Sequence, residues 1–335
     1  MEKWRVRKRF LLVMMSCLLA LVFAGCGSTQ KAGKSNAGEG GLAEVRIPDI
    51  YSPLYAYEPY IADELGFFKE EGINPVFTGV IPPGQHVAAV VAGTNDVGTL
   101  HINRTIAGIQ SGAKIKAVVA GTESSKRYPH MTYIVLENSP IKTAQDLIGK
   151  KVGVVAIGGC HEYTPYEWLR KNGIADPKGK FTFVAVPPGT EEQALRSGQI
   201  DVYGAMGIPV DIMSRGGIRV LFDDVDVWGT VAGNTPWYFS EKFIQEKPDV
   251  VKRFVKAIAR AQEWMNANPD KVAEIMGKRG GVDPKKVSVM HYAERGVIKE
   301  DSIQIWIDLL RNYGELTRDY KPEEIYTNEF NENAK

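Results

Sequence analysis

From Ala43 onward, short apolar runs alternate with segments whose apolar residues recur every three or four positions. "AEVRI" reads as a strand, and the following "YEPYIADELGFFKEEG" carries Ile61, Leu65 and Phe68 at helical spacing. The strand-like "PVFTGV", "DVGTL" and "IKAVVAG" then alternate with the helical "GQHVAAVVAG" and "RTIAGIQSG". A second cycle opens at "TYIVLEN" and runs through "TAQDLIGK", "KVGVVAIGG", the helix "TPYEWLRKNG", "FTFVAVPPG", "EEQALRSG", "IDVYGAMG" and "IRVLFDD". Such alternation predicts βαβ units around mostly parallel sheets. The segments "GTNDVG" (Gly93–Gly98) and "GQIDVYG" (Gly198–Gly204) echo one another, each placing an Asp-Val pair after a helix and at a strand. Two α/β lobes in tandem explain both the cycles and the echo.

After about Val231 the pattern changes. "GNTPWYFS" predicts one more strand, and the remainder is helical. Val251, Phe254, Val255, Ile258, Ala261, Gln262 and Met265 lie on one face of a long amphipathic helix, and further helices are expected around Val272–Met276 and Ile303–Leu310. "KPDVV" and "NPDKV" put proline at helix starts, where its missing N–H costs least. Trp264 and Trp306 belong to these apolar stripes and are read as core packing.

The N-terminus has another texture. Lys3, Arg5, Arg7, Lys8 and Arg9 precede an apolar run from Leu11 to Phe23, which ends in "FAGC" at Cys26. That is the plan of a secretory signal, and the run is short against the ~20 residues of a membrane span. The final four residues resemble a bacterial lipobox, with Phe23 where leucine is commoner, so Cys26 is the expected lipidation site. "GSTQKAGKSNAGEGG" (Gly27–Gly41) lacks an apolar period and reads as a flexible tether. Loss of residues 1–25 would leave 36 basic against 39 acidic residues, and nothing in that balance suggests nucleic acid. Of the three cysteines, Cys17 lies in the signal and Cys26 would be lipidated, which leaves Cys160 and excludes a disulfide framework.

On these segments the chain resembles the bacterial ABC-transporter solute-binding proteins of the nitrate/sulfonate/taurine type, a group that also includes thiamine-pyrimidine binders. The resemblance rests on "ADELGFFKEEGINPV", "VAGTNDVG", "NSPIKTAQDLIGKKVGV", "SGQIDV" and "EKFIQEKPDVVKRFVKAIARAQEWMNANPDK", in that order, and covers roughly residues 44–330. It implies a type 2 periplasmic-binding fold: two α/β lobes with a hinge and a C-terminal helical tail. The chain would cross between lobes near Gly121–Thr132 and near Thr230–Asn234. The expected division is signal 1–25, tether 26–42, lobe 1 from 43–125 and 232–335, and lobe 2 from 126–231. The family's partners would be a small-molecule solute and the permease and ATPase subunits of an importer. The expectation is thus a monomer outside the cytoplasm, held to the membrane through its N-terminal lipid, with no cofactor and no enzymatic step.

In open α/β sheets, ligands lie at the carboxyl ends of the strands. Those ends select Tyr51 and Tyr55, Pro83, Thr99 and His101 from the first cycle, and Gly159, Cys160, His161, Glu162 and Met206 from the second. The returning crossover adds Asn234 and Trp237. Gly158 and Gly159 allow the backbone to approach a ligand, and the next helix start offers N–H donors. A zinc peptidase is excluded because "HEYTP" puts Pro165 where the second histidine of His-Glu-x-x-His belongs. The five histidines are scattered, so no metal site is expected, although a metal ion or metal complex stays an alternative cargo if His86 or His101 joins from the facing lobe. A cysteine nucleophile would need a base from elsewhere, since adjacent Cys160 and His161 diverge on a helix. Neither Gly-x-Ser-x-Gly nor a P-loop is present, and the cysteine-rich signature of the related thiamine-pyrimidine synthase is absent. Glu162 in the first turn would compete with an anion, and the tyrosine-rich rim suits a flat nitrogenous solute such as a thiamine pyrimidine precursor. That is the alternative to a nitrate/sulfonate/taurine-type solute. A sensory or structural lipoprotein that keeps the fold without transport is a third reading.

Overall fold

The computed structural model describes residues 41–231 and 235–334. Cys26, the tether up to Gly40 and Asn234 lie outside those residues. The strands are β1 (Ala43–Asp49), β2 (Ile73–Val80), β3 (Val97–Thr99), β4 (Ile115–Val119), β5 (Met131–Leu136), β6 (Lys151–Val154), β7 (Thr182–Ala185), β8 (Val202–Met206), β9 (Ile218–Asp223) and β10 (Trp237–Ser240). They form a parallel pair β1-β2, a three-stranded sheet β3-β10-β4 and a five-stranded sheet β7-β6-β8-β5-β9. The two apolar cycles of the sequence therefore end in different sheets.

Parallel pairing is confined to the strands joined through helices. β6 runs parallel to β7 and β8, whereas β5 is antiparallel to β8 and β9, and β10 is antiparallel to β3 and β4. The five-stranded sheet is thus mixed and the three-stranded sheet is paired antiparallel throughout, where the sequence suggested mostly parallel sheets. The two antiparallel strands follow the two crossover segments, which bring the chain in from the other side.

The Asp-Val echo has a physical basis. Asp96 accepts the Arg46 N–H at 2.8 Å and returns its own N–H to Arg46 O at 3.1 Å. Asp201 does the same with Lys151, accepting at 2.8 Å and donating at 2.9 Å. Each aspartate thereby ties its cycle's first parallel strand to the turn before a later one.

The amphipathic stripe becomes the helix Pro248–Ala267, which buries Val251, Phe254, Ile258 and Met265 against β1, the helix Glu58–Glu64 and Trp237. The predicted first helix is instead broken into Glu58–Glu64 and Phe67–Glu70, because Gly66 turns left-handed at φ 75° and ends the first piece. Trp306, on the helix Glu300–Asn312, is 1% exposed and packs with His101, Tyr163 and Trp228. No helix among the described residues is long and apolar enough to cross a membrane.

The helix expected from Thr164 begins earlier, at Cys160, and runs to Lys171 with Pro165 inside it. Proline there deprives His161 O of its i+4 donor. The Tyr133 hydroxyl, from β5, donates to that carbonyl at 2.9 Å. A tertiary contact thus supplies the bond that the local sequence forbids.

Candidate functional site

The carboxyl ends of β1, β3, β6 and β8 converge on a cavity of about 170 Å³, many times the space one water molecule needs. Tyr51, Thr99, His101, Gly159, Cys160, His161 and Met206 all line it. The Tyr51 hydroxyl approaches Met206 Sδ at 4.0 Å, across 155 residues of sequence. Tyr55 opens instead onto an adjoining cavity with Tyr203 and Glu191. Pro83 begins the short 3-10 turn Pro83–Gln85 after β2. Glu162 and Trp237 are not among the residues that line the strand-end cavity. Trp237 is 1% exposed, packs on Tyr57 and Phe254, and donates its indole N–H to Glu58 Oε1 at 3.3 Å.

The aromatic rim largely turns inward. Tyr163 and Tyr166 pack with Tyr313, Trp306 and Phe181, and Tyr238 is fully buried beneath β3. Tyr51 and Tyr57 remain on the cavity wall. Aromatic residues near strand ends have two places to go, and the core took most of them.

The wall also contains Arg104, the last residue of the strand-end stretch Gly98–Arg104, and three residues outside the strand ends that the reading did not select. Arg104, on the helix Ile102–Gln110, reaches to the loop before the Cys160 helix and donates to Ile157 O at 2.7 Å and Gly158 O at 3.1 Å. Gly158 and Gly159 hold φ of 88° and 77°. A Cβ on Gly159 would also lie 3.0 Å from Arg104 Nε, so both backbone conformation and close approach require glycine here. His130, Thr122 and Thr235 come from the two crossover segments. Thr122 N donates to Thr235 Oγ1 at 3.1 Å, and their hydroxyls meet at 2.8 Å. Gly121 has no room for a side chain, because a Cβ would sit 2.0 Å from Thr235 O.

Three ligating side chains meet on this wall. His101, His130 and Cys160 are all buried, and their donor atoms lie within 4.8 Å of one another. Cys160 Sγ is 3.5 Å from His130 Nε2 and 3.8 Å from His161 Nδ1. His101 Nδ1 meets Asn103 Oδ1 at 3.0 Å, and His130 Nδ1 meets Thr122 Oγ1 at 3.1 Å. The histidines are scattered in sequence and gathered in space, a convergence that spacing alone did not reveal. The hint available was that His130 sits in the crossover Gly121–Thr132.

Burial sets the charges of this group. It pushes the Cys160 thiol up to about 12, although Arg104 pulls the other way. Burial, reinforced by Arg104 and His101, lowers His161 to about 3. His130 is lowered well below its usual value by burial and then by His101 and His161. Burial thus disfavours both the Cys160 thiolate and the His130 imidazolium, and the two side chains meet as a thiol–imidazole pair that adjacency to His161 did not predict.

Residues 55–273 match the family model described as NMT1/THI5 like. A putative aliphatic sulfonates-binding protein of Bacillus subtilis (strain 168) is 25% identical over 289 residues, covering 84% of this chain and 81% of that protein. Riboflavin-binding protein RibY of Chloroflexus aurantiacus is 25% identical over 240 residues, covering 70% of this chain and 66% of that one. The solved structure of the periplasmic aliphatic sulphonate binding protein SsuA from Escherichia coli superposes with a TM-score of 0.67 at 17% identity, over 86% of this chain and 99% of that one. The last likeness establishes the fold as that of periplasmic binding proteins.

Proposed function

The chain belongs to the NMT1/THI5-like family, and on that premise we propose that it is the solute-binding lipoprotein of an ABC importer. It captures a small organic solute between two lobes and delivers it to the permease, with no bond made or broken. The carrying observation is the cavity at the strand ends, bridged by Arg104 from the helix Ile102–Gln110 to the backbone of Ile157 and Gly158. The lobes would be 43–125 with 232–335, and 126–231. Their crossovers touch at Gly121 and Thr235, which is where a hinge would turn.

The solute class we favour is a small organic anion of the sulfonate or taurine type, the class for which the B. subtilis relative is named. The objection raised by Glu162 weakens, because its carboxylate does not line the cavity. Gly159 does line it, at the N-terminus of the 12-residue helix Cys160–Lys171, where the helix dipole favours negative charge. Thermal-shift screening with taurine, alkanesulfonates, nitrate, pyrimidines and riboflavin tests the reading. Stabilisation by a sulfonate supports it, and stabilisation by a pyrimidine or riboflavin alone overturns the solute class. Cys26→Ala tests the anchor: it should release the protein from the membrane fraction and leave solute affinity unchanged.

A further inference from the structure

We propose that His101, His130 and Cys160 form a three-ligand site for a borderline-soft transition-metal ion, zinc or copper, whose remaining coordination position opens into the solute cavity. Metal binding itself stands apart from the transport reading, whereas the capture of solute through the metal rests on it.

The donor set and its spacing carry this assignment. One sulfur and two imidazoles suit zinc and copper, and suit calcium or magnesium poorly. A tetrahedral zinc with Zn–S of about 2.3 Å and Zn–N of about 2.0–2.1 Å places those two donors roughly 3.5 Å apart. Cys160 Sγ and His130 Nε2 stand at 3.5 Å. The third donor lies within 4.8 Å of both, so a small inward shift of the His101 ring completes the triangle.

The surroundings of the rings are those of metal ligands. Such histidines commonly tether their second nitrogen to an outer partner, which fixes ring orientation and tautomer. Asn103 Oδ1 holds His101 Nδ1 and Thr122 Oγ1 holds His130 Nδ1, and on His130 it is Nε2 that faces Cys160 Sγ. Thr122 is itself held by Thr235. A further ring adjoins the group: His161 Nε2 is inaccessible to solvent and has no hydrogen-bond partner among the described residues.

Three protein ligands and an open position are the arrangement of zinc sites that coordinate a substrate. Both histidines and Cys160 line the cavity wall, so the open position faces the solute. A divalent ion with one thiolate leaves a net positive charge, which favours an anionic oxygen donor. Binding transfers the thiol proton to solvent as the sulfur–metal bond forms, and no electron moves.

The test uses the full chain, stripped with chelator and reloaded. Zinc titration followed by calorimetry should give one site per chain, and cobalt(II) loading should produce a thiolate-to-cobalt charge-transfer absorption. Copper(I), presented under reductant against a chromophoric chelator, decides between the two metals. Cys160→Ser should abolish the absorption and weaken zinc binding at least 100-fold, while Asn103→Ala should weaken it about tenfold by releasing the His101 ring. Melting of each variant without metal shows whether it folds, and the parent's absorption requires no variant. The proposal is overturned if the parent binds no stoichiometric metal, if cobalt binds without the absorption, or if Cys160→Ser binds as the parent does. The 3.5 Å contact would then be a thiol–imidazole hydrogen bond. Solute binding that persists undiminished in metal-free protein would overturn metal-mediated capture and leave the transport reading intact. A metal-loaded protein that binds none of the screened solutes would do the reverse.

Discussion

Tyr133→Phe removes one oxygen atom and should cost stability through a carbonyl 28 residues away. Tyr133 is fully buried, and its hydroxyl donates to His161 O at 2.9 Å. Pro165 cannot donate to that carbonyl, so the variant leaves a helix carbonyl without its partner. A lost bond with a stranded acceptor costs about 1–3 kcal/mol. Thr164 also influences the Tyr133 hydroxyl, and that influence is lost as well. A double-mutant cycle isolates the carbonyl: Pro165→Ala restores an N–H at the position four residues on, so the phenylalanine substitution should cost about 1 kcal/mol less in that background. The Thr164 contribution cancels between the two arms. Urea unfolding followed by circular dichroism gives the four free energies from midpoints and slopes. Equal cost in both backgrounds would refute the reasoning, because it would mean that His161 O never depended on Tyr133.

Three further outcomes are expected. Arg104→Met removes two hydrogen bonds between the Ile102–Gln110 helix and the Ile157–Gly158 backbone; solute affinity should fall about tenfold, roughly 1.4 kcal/mol, by calorimetry, and unchanged affinity would remove Arg104 from closure. Glu162→Gln should leave affinity for every solute within about twofold (some 0.4 kcal/mol), because the carboxylate does not line the cavity; a larger change would put it there. Asp224, buried and bonded to Ser124 and to Met131 N, is pushed from 3.8 up to about 7, chiefly by burial. Its carboxyl stays protonated in the folded chain through a window where the unfolded chain has released the proton. Stability should therefore fall as pH rises from about 4 to 7, by up to roughly 4 kcal/mol, and level off above. Asp224→Asn should flatten that slope in pH-dependent urea melts; an unchanged slope would assign it to other groups.

The alternation of strands and helices was legible because burial on a sheet or along a helix face imposes its own period. The amphipathic face of Pro248–Ala267 and the strand-end positions of Thr99, Gly159, Cys160 and Met206 follow from that period alone. Helix starts were less legible. Pro165 marked a boundary by local rules, yet the helix begins at Cys160 because Tyr133, remote in sequence, takes over the missing bond. Trp237 illustrates the same limit on the site: a residue at a strand near the crossover can face the cavity or the core, and its indole found Glu58 in the core.

What the chain decides by itself is where each element lies and which chemistry reaches each strand end, since these depend on neighbours a few residues apart. The convergence of His101, His130 and Cys160, the reach of Arg104 to Gly158, and the inward turn of the tyrosines depend on how the crossovers lay one sheet against another. Periodicity holds no information about distances between residues tens of positions apart. Only packing fixes those distances, and with them the charge and ligating capacity of the site.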